Sequence, residues 1–216
     1  MSFRQKINLL IVFFLCSASS IIAQDVENAF QTRTSVKLSY SPIKKIKISI
    51  SPEARMDETF ALDKFLAEGE VEYKVTKLIR VAGTYRYVVN QRNTKPTEYL
   101  HQYAANLKLK KNFGRFEPSI RIRYANYADD DIQDKAFMRY KLKLEYDIAK
   151  TSLQPFIGAE IFRQVSDDGN DKMRYSVGVD YKLMKKNYIG ISYKLDYYLQ
   201  EYKNRHIVSI SYHFKF

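Results

Sequence analysis

Charged side chains recur at alternate positions in several segments, and this spacing is the first feature of the chain that could carry chemistry. The positions that stand out are Glu68, Glu70, Glu72, Arg80, Arg86, Arg121, Arg123, Arg139, Lys141 and Lys143. Residues two apart on a β-strand point to the same face of the sheet. Facing rows of opposite charge would form ion pairs between neighbouring strands and fill a narrow lumen. A surplus of Arg and Lys around an open lumen would instead favour anions or acidic oligosaccharides.

Catalysis and metal binding have weaker support. The three histidines are His101, His206 and His213, and His206 and Ser209 are three residues apart, on opposite faces of a strand. The acidic run at 167–171 lacks the spaced acids and final Glu of a calcium-binding loop, and we interpret it as solvated loop residues, like the run at 129–131. We therefore predict no catalytic centre, no cofactor and no metal site.

Composition narrows the possible classes of protein. The chain has 216 residues, a formal net charge of +12, 18 Tyr, 13 Phe and one cysteine, and its mean hydropathy is −0.42. A chain with this mean hydropathy is too polar to be a bundle of transmembrane helices, and its aromatic content is too high for a disordered protein. A single cysteine excludes a disulfide framework. The basic charge raises the possibility of nucleic-acid binding, but it is spread evenly over the chain and we predict no nucleic-acid partner.

The first 23 residues have the pattern of a cleaved secretory signal peptide. Arg4 and Lys6 precede a short apolar run at 7–15, and small residues then lead to Ala23. The run is too short to cross a membrane as a helix, which needs ~20 apolar residues. We expect residues 24–216 to form the exported protein as one domain.

Alternation of apolar and polar residues continues through nearly the whole of this domain and predicts an all-β fold. Eleven segments show it, at about 30–40, 45–56, 65–75, 79–89, 98–109, 116–126, 136–147, 153–163, 173–183, 188–199 and 206–216. Short connections alternate with longer polar ones, and a unit of about 35 residues recurs, as in a repeated hairpin. One face of these strands is apolar and the other is charged.

Tyrosines concentrate near the strand ends on the apolar face, as Tyr40, Tyr73 and Tyr181 do before short turns. Two aromatic bands around an aliphatic waist are typical of a barrel in a membrane, where amphipathic rings favour the headgroup region. We predict a single antiparallel transmembrane β-barrel of 10–12 strands, with short periplasmic turns and longer extracellular loops. Because bacterial single-chain barrels have even strand numbers, we expect ten or twelve strands. A soluble exported β-barrel that binds a hydrophobic ligand remains an alternative.

The last strand carries aromatic residues at alternate positions and ends on Phe216. This ending resembles the terminal signal that the barrel-insertion machinery reads in outer-membrane proteins. Together with the repeated Tyr-x-Leu/Val/Ile-x-Lys turns, it resembles an uncharacterised family, a domain of unknown function, of small outer-membrane β-barrel proteins of Gram-negative bacteria. The resemblance implies a single barrel and carries no activity with it.

These observations predict a non-enzymatic protein of the outer membrane of a Gram-negative bacterium, structural or a narrow passive pore with a basic lumen. Its expected partners are outer-membrane lipid and lipopolysaccharide, and the insertion machinery through the strand that ends at Phe216. A barrel enzyme that acts on lipid or peptide at the loop rim is the remaining alternative.

Overall fold

Eleven β-strands account for most of the described chain. The computed structural model describes residues 27–92, 95–127, 135–166, 170–199 and 203–216, with the side chains of 92, 95, 170 and 203 left undescribed. The strands are β1 Glu27–Ile43, β2 Ile46–Met56, β3 Leu62–Lys74, β4 Ile79–Arg92, β5 Lys95–Lys110, β6 Phe116–Ala125, β7 Phe137–Tyr146, β8 Leu153–Gln164, β9 Asn170–Met184, β10 Asn187–Tyr198 and β11 Lys203–Lys215. The predicted signal peptide at 1–23 and the acidic run at 129–131 lie outside the described residues.

The strands form one closed barrel in sequence order, which confirms the predicted all-β barrel. Each strand pairs antiparallel with the next along the chain. β1 and β11 close the wall as a parallel pair, in register from Glu27↔Lys203 to Ser39↔Lys215. The expectation of ten or twelve strands was wrong for the described chain. With eleven strands, the first and last run in the same direction, so their edges can join only as a parallel pair.

The two ends of the barrel differ in their connections. One end of the barrel, which we call the turn end, holds the connections 44–45, 75–78, 111–115, 147–152 and 185–186. We call the opposite end the loop end. The longest connection, 126–136, lies at the loop end. The sequence pattern predicts one of the longer polar connections near 90–97, but β4 and β5 remain paired as far as Arg92↔Lys95, so most of this segment is strand.

The outer wall of the barrel is apolar and lies open to the surroundings. Near the middle of the wall, Leu142 is 59% exposed and Ile191 is 55% exposed, and similar side chains surround the barrel. Tyr40 and Tyr73 are exposed towards the turn end, and Tyr99 towards the loop end. An apolar belt between aromatic ends is the surface expected of a wall that faces hydrocarbon. Across the described residues, no helix is long and apolar enough to cross a membrane.

The outer wall gives the first prediction. Ile191→Arg places a charge near the middle of β10 and should destabilise the barrel in lipid by about 2–4 kcal/mol, because hydrocarbon cannot solvate it. The matched variant Met184→Arg, at the exposed turn end of β9, should cost about 0–1 kcal/mol. Urea unfolding in vesicles measures both. Equal, small effects would mean that water, not lipid, covers the wall.

Candidate functional site: the charged lumen

Strand alternation turns the charged side chains into the lumen. The two halves of the lumen differ, because charged residues near the loop end are buried and those near the turn end are partly exposed. Buried charges are tolerated only where opposite charges and hydrogen bonds satisfy them. In the loop half, Glu53 pairs with the buried Arg55 at 2.6 Å, and three further carboxylates are each held by two or more cations.

Glu160 on β8 is the first of these carboxylates. Its Oε1 accepts hydrogen bonds from Arg121 Nη2 at 2.8 Å and from Arg139 Nε at 2.9 Å. Lys141 Nζ lies 3.7 Å from Oε2. The carboxylate is therefore surrounded by cations from β6 and β7, two of which reach it from the strand next to its own.

Asp196 on β10 is the second and is fully buried. Arg174 on β9 holds it through two parallel hydrogen bonds, from Nε to Oδ1 at 2.5 Å and from Nη2 to Oδ2 at 2.7 Å. Lys172 Nζ lies 3.2 Å from Oδ2. A forked Arg–carboxylate pair fixes geometry as well as charge, so β9 and β10 are locked together inside the barrel.

Glu68 on β3 is the third. Arg86 donates to its Oε2 from Nε at 3.0 Å and from Nη2 at 2.7 Å. Arg123 Nη2 reaches the same oxygen at 3.6 Å from β6, across two intervening strands. Tyr127, just after β6, folds into this cluster, where its hydroxyl contacts Arg123 and its ring lies 4.8 Å from the Arg86 guanidinium.

Aromatic rings fill the space between these ion pairs. Three cations lie over the Phe162 ring. The guanidinium carbons of Arg139 and Arg174 are 4.2 and 5.2 Å from the ring centroid, and Lys172 Nζ is 4.8 Å from it. We define the constriction as Glu160, Asp196, Tyr127, Phe137 and Phe162 with the cations that contact them. These five residues are 0–2% exposed, so water does not reach their side chains.

The turn half is more open and contains a cavity of about 190 Å³. Glu70 pairs with Lys37 at 3.3 Å, and Glu72 pairs with Lys47 at 3.2 Å and Arg80 at 3.4 Å. These pairs are partly exposed, so each contributes little to stability on its own. The cavity is therefore lined by charged side chains that are partly exposed, unlike the buried ones of the loop half.

The ten charged residues singled out by the sequence all point into the lumen but do not form one cluster. Arg121, Arg139 and Lys141 meet at Glu160, and Arg86 and Arg123 meet at Glu68. Arg80 pairs with Glu72, Glu70 pairs with Lys37, and Lys143 pairs with Glu145 at 2.6 Å. Glu70 finds no Arg opposite on β4 because its partner in register is Thr84.

Sequence reasoning missed the residues that organise the constriction. Glu160 and Asp196 each follow the alternation of their strand, which was sufficient to place them in the lumen. Their burial had no sequence signal, because it depends on strands that lie far apart in the chain. Tyr127 and Phe162 carried no signal either, since aromatic residues also populate the outer wall.

The histidines do not form a catalytic group. His101 and His206 lie on the outer wall, where their Nδ1 atoms are 2.7 Å from Tyr85 Oη and 2.6 Å from Tyr193 Oη. His213 lies in the lumen with Nε2 2.9 Å from Ser39 Oγ, across the parallel seam. Within the described chain, no carboxylate contacts the His213 ring, so the pair lacks the group that orients the base in a Ser–His hydrolase.

The described residues also contain no recognisable metal site. No group of three or more His, Cys, Asp and Glu side chains there is arranged to hold an ion. The acids at 167–168 lie outside the described residues.

Comparison with known proteins identifies a family and a fold. The family model described as "Protein of unknown function (DUF2490)" matches residues 30–210. No curated protein matches the chain significantly. The NanC porin, solved in a rhombohedral crystal form, matches with a TM-score of 0.54 and 13% identity, over 77% of this chain and 85% of that chain. At this identity the match shows a shared barrel fold.

The buried Asp196 pair gives the second prediction. Asp196→Asn leaves Arg174 and Lys172 without their carboxylate in the buried half of the lumen and should destabilise the barrel by about 3–5 kcal/mol. The control Asp180→Asn removes a partly exposed luminal carboxylate of the turn half and should cost well under half as much. Urea unfolding of both variants in the same vesicles measures the difference. Similar losses would show that Asp196 is solvated, contrary to the geometry.

Proposed function

The chain belongs to the DUF2490 family, and we propose that it is a non-enzymatic barrel of a Gram-negative outer membrane whose lumen is held closed by the constriction. The observation that carries this proposal is the burial of Glu160, Asp196 and the three aromatic rings between them. An open porin lumen is lined by solvated charges, whereas these charges are paired and covered. The protein therefore acts as an envelope component with a filled lumen rather than as a general pore.

The outer wall supports residence in the outer membrane. Membrane barrels present an apolar band between aromatic girdles, and only a closed barrel satisfies its backbone hydrogen bonds in lipid. Lipid and lipopolysaccharide then cover the belt around Leu142 and Ile191. A soluble barrel would leave this belt in water, as an apolar surface far larger than a soluble monomer exposes.

The last strand supports assembly by the barrel-insertion machinery. Tyr212 and Phe214 lie on the outer face of β11, and the rings of Phe214 and Phe216 contact each other edge to face at 4.7 Å. β11 ends at the turn end, beside β1 at the parallel seam. An accessible aromatic terminus at that end fits a periplasmic receptor, with export directed by the signal peptide at 1–23.

A narrow anion pathway is the second candidate function. The observation that favours it is the excess of Lys and Arg over Glu around the turn-half cavity. Passage would require the constriction to rearrange, because its ion pairs fill the lumen. In that case the barrel would conduct in rare openings, with anions preferred.

Conductance in planar bilayers tests closure and gives the third prediction. The refolded protein should insert without stable open steps. The double substitution Tyr127→Ala, Phe162→Ala removes two rings from the constriction and should produce stable steps with anion preference, because the remaining cations line the new opening. Heat-modifiable gel mobility controls for folding.

A matched variant separates the constriction from general loosening of the barrel. Phe156→Ala removes a luminal ring of the turn half, which packs on Lys143 Nζ at 3.9 Å, and should remain silent. Stable large steps from the unsubstituted protein would contradict closure, and rare anion-selective openings would favour the second candidate.

A further inference from the structure

The cavity in the turn half has features of a binding site that closure of the lumen does not explain. It is lined by five cationic side chains and two carboxylates from β1 to β6; the charged residues are Lys37, Lys47, Glu70, Glu72, Arg80, Lys108 and Arg121. Both carboxylates already pair with Lys37, Lys47 and Arg80, and Arg121 binds Glu160. The lining therefore keeps a net positive charge after its internal ion pairs are formed.

The excess charge is concentrated by the strand register. Arg80 on β4 lies opposite Lys108 on β5, and Lys108 lies opposite Arg121 on β6. The same row continues to Lys74 on one side and Lys141 on the other. Like charges directly opposite each other destabilise a sheet. Glu72 pairs with Arg80, and Glu160 pairs with Arg121 and Lys141. This leaves Lys108 between two arginines without an ion pair of its own in the described part of the chain.

Several polar groups of this lining lack partners. Lys108 makes no side-chain hydrogen bond or ion pair with any described residue, and the carboxylates of Glu72 and Glu145 attract it only at longer range. Among the buried polar atoms without a hydrogen-bond partner are Nε of Arg80, Nε of Arg121 and Oδ1 of Asn106, and all three residues line the cavity. Buried polar groups are nearly always satisfied. Unpartnered atoms also occur elsewhere in the lumen, as at Gln102 and Ser209, but these three belong to residues that line a cavity open to an anion. Small rotations of the long arginine side chains would present their donors to it.

The dimensions limit what this partner can be. A volume of about 190 Å³ is little larger than an engineered cavity of about 150 Å³ that holds a benzene ring. An oligosaccharide or a peptide is too large. Arginine donors and an ammonium group match the tetrahedral oxygens of a phosphoryl group. The hydroxyl that a phosphate retains at neutral pH could donate to the Asn106 oxygen.

We propose that this cavity binds one small oxyanion of at least two negative charges, an inorganic phosphate or the phosphoryl group of a small phosphomonoester, entering from the turn end. Lys108 is the main electrostatic anchor, with Arg80 and Arg121 as hydrogen-bond donors. The site shares Arg121 with the constriction, because Nη2 of this residue binds Glu160. It opens towards the turn end, so binding does not require the constriction to conduct.

Titration calorimetry on the full barrel refolded in detergent tests the site and gives the fourth prediction. Inorganic phosphate and glycerol 3-phosphate are titrated separately at constant ionic strength, with chloride as the compensating anion. We expect saturable binding of one anion per barrel. Lys108→Gln removes a charge without breaking an ion pair and should weaken binding about tenfold or more. Lys108→Arg keeps the charge and should retain binding.

The matched control is Lys182→Gln, which removes one exposed positive charge from β9 at the same end of the barrel. It should bind as tightly as the unsubstituted protein. Equal weakening by both Gln variants would reveal non-specific attraction to a basic surface and overturn the site, as would the absence of saturable binding by either ligand. Tight binding of glycerol 3-phosphate alone would identify the phosphomonoester as the ligand.

Discussion

The pairing of buried carboxylates with several cations is the interaction on which the rest of this barrel depends. Strand alternation in a closed sheet forces every second side chain into the lumen, and in this chain many of those are charged. Charges removed from water are stable only when opposite charges satisfy them. The carboxylates of Glu160 and Asp196 supply the opposite charge for cations on β6, β7 and β9. Aromatic rings fill the gaps between these ion pairs. The resulting constriction buries the charges of the loop half, and the turn half keeps the surplus of positive charge.

The parallel seam is a second constraint, with consequences for the lumen. An odd number of described strands brings β1 and β11 together in the same direction. The seam places Ser39 beside His213, a contact that no pattern within one strand predicts. On the other side of β1, Lys37 reaches Glu70 on β3 across β2 and supplies the partner that β4 does not offer.

The fold was predictable from the sequence to a greater extent than the site. Alternation such as Arg139, Lys141 and Lys143 is a local property, so it identified the strands, their two faces and the closed barrel. The contact of Arg121 with Glu160 crosses β7, and that of Arg123 with Glu68 crosses β4 and β5, so both depend on barrel curvature that alternation does not encode. The even strand count was wrong because the general rule assumes antiparallel closure. Lys108 went unnoticed because a lone lysine on a strand face gives no sign that its register neighbours are also cations.

Accessibility of single cysteines in vesicles tests most directly the claim that the lumen is closed in one half and open in the other. Two single-cysteine variants are made in a chain with Cys16 replaced by Ser. Ala82→Cys places a thiol on the wall of the turn-half cavity, and Ala125→Cys places one in the buried loop half. A small, charged thiol reagent should modify position 82 rapidly from the turn side and leave position 125 unmodified from either side until the barrel is unfolded. Rapid modification of both positions would show a water-filled lumen and contradict the account.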